Sequence, residues 1–380
     1  MASFPKIPYM LMIFLCANFL PAQSKGNADA AARDAVARLE DALAGKSSAG
    51  TVKAPPQASR GGAEPAWVMD PYRLYSRDRY MAAVGFAPNR SEAEKKALAA
   101  LAALFGQSVK ADFSAATMYS EAVSKGIISV SENTSIRDQV ATAASMDSLM
   151  GAEIGNVWDD AKGTVYAAAY MDREKTIVIY TELIRSNQRN IDELTDMSPA
   201  EKNSFDGIAR YRLAASMAGI NAKYANVISQ AGGSASSLNL KSADSYSLEA
   251  SAIQKAITVV VTVEGDRANR IRDAFAKALQ GEGLRTRGNN PPYELEVSIS
   301  LGEVSFPNNN NKFCRYVASA NLIENETGTV LISFNVADRE GHATYEGAQT
   351  AAYTAIEREI AEKYPATLKE YLASLLPQKR

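Results

Sequence analysis

The sequence predicts an α+β protein: an N-terminal α+β sandwich domain, a central antiparallel helical hairpin, and a C-terminal domain of order β-α-β-β-β-α. Three observations carry this reading. Short strand-like runs such as Tyr80–Gly85 and Tyr293–Leu301 are interleaved with helical stretches, the pattern of strands and helices sharing one core. Two long stretches with apolar residues at helical spacing are separated only by Thr195–Met197, so they should fold back on each other. Stretches rich in Pro, Gly and Ser break the chain at 45–65 and 232–237.

The totals agree. A chain of 380 residues is long for one domain, and 46% apolar content is enough for real cores. Forty-one basic against forty-three acidic residues give a net charge of −2, and no Lys/Arg-rich run is present, which argues against nucleic acid as a partner.

Taken in order, residues 1–23 read as a secretory signal peptide. Lys6 precedes the apolar run Ile7–Leu20, followed by small and polar residues around Ala22. The run is too short for a stable membrane anchor, and no later run approaches transmembrane length. Cys16 raises the question of a lipid anchor, but the bulky Ile13-Phe14-Leu15 before it is a poor lipidation site, so the expectation is discarded signal. Membrane association would therefore not run through a transmembrane helix. Loss of the signal leaves Cys314 alone, which excludes an intrachain disulfide.

Residues 24–65 read as a flexible leader with a short helix at Ala31–Leu43. Residues 66–173 form the first domain. Trp67 anchors its core, and Tyr80–Gly85 is a strand. Ser91 and Glu94 form a capping box for a helix whose apolar face is Ala97, Leu98, Leu101, Leu104 and Phe105. Gln107–Ala116 reads as a strand, and Ser120–Met150 as loop and helix. Ile154–Asp159 and Thr164–Met171 make a hairpin through an Asp- and Gly-bearing corner. The helical hairpin spans 174–231. Its first helix carries Ile177, Thr181, Ile184, Ile191 and Leu194, and its second opens at Ser198-Pro199-Ala-Glu201. Residues 232–251 are expected to be linker.

The C-terminal domain, 252–377, begins with the β-branched run Ile257–Val263, expected to be covered on both faces. Asp266 should cap a helix through Leu279. Tyr293–Leu301 alternates cleanly, Phe313–Leu322 and Thr329–Val336 form a hairpin, and two helices separated by Pro365 finish the chain.

Residues suited to catalysis are sparse, and the expectation is no catalytic, cofactor-binding or metal-binding site. His342 is the only histidine and cannot join a second in a metal site; it reads as a surface residue. Cys314, on the strand face of Tyr316 and Ala318, reads as a small buried hydrophobe rather than a nucleophile. Gly265-Asp266 follows a strand and opens a helix, where phosphate is often bound, but its acidic neighbours suit no anion. Asp159 and Asp160 read as turn chemistry rather than paired catalytic carboxylates. Glu153 and Asp147 lie upstream without a placement against them, and Asn308–Asn311 is a loop tip.

Residues Pro65-Ala-Trp67-Val, Tyr80-Met-Ala-Ala-Val-Gly85-Phe-Ala, the spaced Ala93, Ala97, Ala100 and Ala103, and Asn156 through Arg173 carry a resemblance. Together they resemble the LPP-twenty lipoprotein family, whose domain is related to the N-terminal domain of flagellar assembly protein T. The resemblance covers under a third of the chain and implies an exported, non-enzymatic envelope domain with no catalytic residues to carry over. The C-terminal order of elements is similar, by analogy alone, to α+β domains of the TolB N-terminal and curli-export type.

The expected function is that of a non-enzymatic periplasmic or envelope protein acting as a binding or assembly module, without cofactor. Its partner is expected to be an envelope protein or a cell-wall component. The alternatives are a sensor of small molecules or cell-wall fragments, and an enzyme whose carboxylates meet between domains.

Overall fold

The computed structural model describes residues 59–60, 63–105, 113–128, 149–160, 162–288, 291–307 and 309–378. All of them belong to one compact unit, which lies within Lys53–Arg380. The expected signal peptide, Cys16 and the expected short leader helix lie outside the described residues. The fold is α+β.

The first sheet holds strands β1 (Ser59–Arg60), β2 (Tyr80–Ala87), β3 (Glu153–Asp159) and β4 (Val165–Asp172) in the order β1-β3-β4-β2. β2 pairs antiparallel with β4 from Tyr80↔Asp172 to Ala87↔Val165, and β3 pairs antiparallel with β4's other side. Strand alternation divides the sheet. Met81, Ala83, Gly85, Ala167 and Ala169 face helix α2 (Arg90–Ala103), whereas Ala82, Val84, Tyr166, Ala168 and Tyr170 face away. Helix α2 covers the first face with Ala93, Ala97 and Leu101, all fully buried, and Phe105 follows at the same spacing. Leu98 and Leu104, expected on that face, are instead exposed. The seal against the sheet is a four-residue repeat of mostly small side chains, which lets the helix lie close over Gly85. The cap also differs from expectation. Asn89, not Ser91, is the N-cap, its Oδ1 accepting from the Glu92 N–H at 3.0 Å. The extended backbone of Asn89 after Pro88 starts the helix before Ser91 is reached.

A short helix α1 (Ala66–Met69) and a 3₁₀ turn (Pro71–Arg73) lie on the other face. Helix α3 (Phe113–Ser124) begins inside the expected strand Gln107–Ala116, and it buries Tyr119, Ala122 and Val123. The helical period of those residues outweighs the alternation of the shorter run before them.

Helix α4 (Arg173–Thr195) is continuous with β4 and is capped by Asp172, which accepts from the Lys175 N–H. It packs against the long helix α6 (Phe205–Gln230). The expected second helix is split. The capping box at Ser198 and Glu201 is present but opens only α5 (Pro199–Lys202), and Ser204 then caps α6 afresh. Gly207 makes this possible: a Cβ there would lie 2.1 Å from the Lys202 carbonyl oxygen. Where linker was expected at 232–251, Ser242 caps a further helix, α7 (Ala243–Ala256), which packs on α6 through Tyr246, Ala250 and Ile253. A polar seam runs through the buried helices: Tyr119 donates to Asn187, and Asn187 donates to Asn221.

The second sheet has the order β5-β6-β7-β8, from strands β5 (Val259–Glu264), β6 (Tyr293–Val304), β7 (Lys312–Glu324) and β8 (Thr329–His342). β5 and β6 are parallel, joined through helix α8 (Arg270–Gly281), and β6, β7 and β8 form an antiparallel meander. β5 departs from expectation. It is an edge strand, with Val259 and Val261 buried but Thr262 exposed, so its β-branched run covers one face only. The chain ends in one helix, α9 (Tyr345–Ser374), which runs through Pro365 instead of breaking. Its unbroken buried face, from Ala348 through Ile356 and Tyr364 to Leu372, outweighs the local cost of about 3 kcal/mol for an internal proline.

The start of α6 belongs to this second core. Phe205 packs on Tyr293 with ring centroids 4.2 Å apart, and the Phe205 N–H donates to the Tyr293 hydroxyl at 3.0 Å. The chain end returns to the same place. Asp206 accepts from the Gln378 N–H at 2.6 Å and pairs with Arg210 at 2.5 Å, while Arg210 donates to the Gln378 carbonyl.

Candidate functional site

The face of the first sheet turned away from α2 carries a cluster of aromatic side chains. Period-two alternation places Tyr80 and Phe86 on β2 beside Tyr166 and Tyr170 on β4, with Trp158 on β3. The Trp158 and Tyr166 rings are 5.4 Å apart, Tyr166 and Phe86 6.0 Å, and Tyr80 and Tyr170 5.5 Å in an edge-on arrangement.

Tyr75, from the turn after α1, stacks on Tyr170 at 4.8 Å with the ring planes 18° apart. Its hydroxyl donates to Asn156 Oδ1 at 2.8 Å. Gly155 makes room for it, since a Cβ there would stand 1.8 Å from the Tyr75 hydroxyl oxygen. The Tyr170 hydroxyl donates to Glu153 Oε2 at 2.6 Å. Burial pushes the Tyr75 hydroxyl up to about 12, with Tyr80 and Glu153 adding to it. Burial and the Glu153 hydrogen bond push Tyr170 higher still. Both are neutral donors at any physiological pH.

The cluster is rimmed by cations and exposed apolar groups. Arg77 lies 4.2 Å over the Tyr72 ring and Arg79 lies 5.2 Å over Tyr80 while pairing with Asp172 at 3.1 Å. Phe86 is 61% exposed and Met69 85%. Trp67, Trp158 and Tyr75 are buried, whereas Tyr72, Tyr80, Tyr166 and Tyr170 are half-buried. Such a surface can stack, accept apolar side chains and donate hydrogen bonds.

The candidates read from the sequence lie elsewhere or serve the fold. His342 is exposed at the end of β8, its Nδ1 accepting from the Thr344 N–H at 3.3 Å. Cys314 is fully buried with Tyr316 and Ala318, and burial pushes its thiol up. Asp266 occupies the helix terminus considered for phosphate: its carboxylate accepts from the N–H groups of Ile271 and Arg272 at 3.2 and 3.1 Å. It caps α8 from outside, because Ala268 and Asn269 intervene in left-handed conformation. Asp160 accepts from the Lys162 and Thr164 N–H groups at 2.8 Å each, which is turn chemistry. Glu153 belongs to the tyrosine face. In the asparagine loop, Asn309 accepts from the Asn311 N–H. Asp147 and Asn308 lie outside the described residues. Among the described residues no group of three or more His, Cys, Asp or Glu is placed to hold a metal, and no helix is long and apolar enough to cross a membrane.

Sequence reading took Trp67 as a core anchor and missed the surrounding face. The signal was present in Tyr166-Ala-Ala-Ala-Tyr170 opposite Tyr80, but it needs the β2–β4 register to be read.

The whole face falls within one stretch that matches a family model. Residues 65–172 match the LPP20 lipoprotein family. The LPP20 segment therefore includes β2, α2, β3 and β4, and every aromatic residue of this face. Among solved structures, the chain is similar to the secreted protein HP1454 from Helicobacter pylori, with 15% identity and a TM-score of 0.36 over 75% of this chain and 98% of that one. It is also similar to a minor lipoprotein from Acinetobacter baumannii, with 10% identity and a TM-score of 0.23 over 31% of this chain and 90% of that one. Lipoprotein GNA1162 from Neisseria meningitidis gives 14% identity and a TM-score of 0.21, over 28% of this chain and 99% of that one. No curated protein matches the chain.

Proposed function

We propose that this is a non-enzymatic envelope protein, exported to the periplasm, which works as a binding or assembly module by docking another envelope protein on the tyrosine face of its LPP20 segment. The observation that supports this is the cluster Tyr72, Tyr75, Tyr80, Tyr166 and Tyr170 with its Arg77 and Arg79 rim and the exposed Phe86 and Met69. Tyrosine, tryptophan and arginine around an apolar centre is the composition of binding hot spots, because rigid rings add contact area at low entropic cost. The hydrogen bonds within the face hold it ready before any partner arrives, which lowers the ordering cost of binding.

The test is site-specific photo-crosslinking from position 86 in intact envelopes, compared with the same probe in Met69→Ala/Tyr166→Ala protein. The expected result is a discrete crosslinked protein that the double variant loses while its thermal unfolding is retained. Sedimentation with purified cell-wall sacculi in place of that crosslink would assign the face to cell wall and overturn the protein partner. Turnover of a substrate by the purified protein, abolished by a point substitution, would overturn the non-enzymatic reading. Mass spectrometry of the mature N-terminus tests export as a free chain: an acylated Cys16 would replace it with a lipid-anchored one.

A further inference from the structure

A second surface lies far along the chain, on the edge of the second sheet. β5 ends that sheet, with β6 on one side only. The other side is paired only at its start: the Val259 N–H donates to the Arg285 carbonyl at 2.8 Å, and the Arg285 N–H donates to the Ile257 carbonyl at 2.9 Å. Beyond that bridge no described strand lies beside Val260–Glu264. Because N–H direction repeats every second residue, the outward Val259 N–H puts those of Val261 and Val263 on the same open side.

This edge is the wall of a groove. A volume of ≈ 450 Å³ is bounded by Val260 and Val261, by Arg272, Ala276 and Lys277 on the flank of α8, and by Arg287. Ala276 is half-buried and leaves the space that a larger side chain would fill. The groove's charged lining is Arg272, Lys277 and Arg287 against the single carboxylate of Asp273, which is 3.6 Å from Arg272. An open edge with unpaired N–H groups takes an added strand. Three cations around it set the sign of that strand. They also work against a second copy of this chain at the same edge, since edge-to-edge pairing would bring two sets of cations together.

We propose that the β5 edge is a strand-addition site for an extended, acidic segment of a partner protein. The segment would continue the sheet through backbone hydrogen bonds to Val261 and Val263 and place its carboxylates against Arg272, Lys277 and Arg287. The site is independent of the tyrosine face.

The test uses the mature full chain and a labelled peptide of alternating Glu and Val, with a Lys/Val peptide and a backbone N-methylated Glu/Val peptide as comparators. Fluorescence anisotropy is expected to show the Glu/Val peptide bound at least about tenfold tighter than the Lys/Val peptide, with affinity falling as salt is added. The N-methylated peptide is expected not to bind. Arg272→Glu with Lys277→Glu, both at exposed positions, is expected to reverse the preference. Amide exchange at Val261 and Val263 is expected to slow only when the Glu/Val peptide is present. Equal affinity for the two charge types, undiminished binding of the N-methylated peptide, or protection at other amides would overturn the proposal. So would a concentration-dependent dimer whose formation slows exchange at Val261.

Discussion

Gly85→Ala tests whether the close seating of α2 on the first sheet holds the LPP20 segment together. A methyl group at Gly85 would stand 2.1 Å from the Ala97 backbone nitrogen, 2.5 Å from the Lys96 carbonyl carbon and 2.7 Å from the Ala93 carbonyl oxygen. All three are helix backbone, so no side-chain rotation relieves the overlap. Ordinary contact begins near 3.4 Å, so the helix must retreat by more than an ångström. That retreat loosens Ala93, Ala97 and Leu101, which are fully buried. A gap of about 1 Å forfeits up to about half of the dispersion attraction across it. The expected loss is about 3 kcal/mol, the upper end for overpacking. Urea unfolding followed by tryptophan emission is the assay, because the chain's two tryptophans, Trp67 and Trp158, both lie on this sheet's opposite face. Gly302→Ala is the control: nothing lies within 4 Å of its added methyl, and it should change stability by less than about 0.5 kcal/mol. A Gly85→Ala protein within that same margin of wild type would refute the seating argument.

Gly155→Ala should drive the Tyr75 ring out of its stack, because the new methyl would meet the Tyr75 hydroxyl at 1.8 Å. Phenolate absorbance should then show the Tyr75 titration moving from about 12 back toward the ordinary value near 10, with crosslinking from position 86 reduced. Stability should also fall with alkali. Tyr75 and Tyr371 are each raised to about 12, so their contribution is complete below about pH 10, the unfolded value, and is lost as pH rises through 12; unfolding midpoints measured across that window check the sign. Cys314 should resist thiol reagents in the native protein and react at once in denaturant, since its side chain is fully buried and its thiol is pushed up; a labelling time course with mass readout distinguishes the two.

The parts of the fold legible in sequence were those with strict periodicity. Tyr293–Leu301 alternates, and the structure buries Tyr293, Leu295 and Val297 on one face as that pattern requires. The Asp160–Gly163 corner and the Ser198–Glu201 box also formed as local chemistry dictates. What failed was decided by contacts between distant segments. Pro365 is a helix breaker by local rules, but α9 keeps a continuous buried face across it. Ala243–Ala256 looks like linker by composition, and it is a helix because α6 offers Tyr246 and Ile253 a surface. The tyrosine face was hidden for the same reason: Tyr75 and Tyr170 are ninety-five residues apart, and only sheet register and the absence of a side chain at Gly155 bring them together.

The joint at Asp206 has a consequence for the order of synthesis. Its partner Gln378 stands 172 positions further on. Until Gln378 is made, Asp206 and the 5%-exposed Arg210 lack their tail contacts, and until Tyr293 and then Tyr371 are made the Phe205 ring lacks its stacking partners. The contacts that close the second core around Asp206 therefore form only after residue 378 has been made.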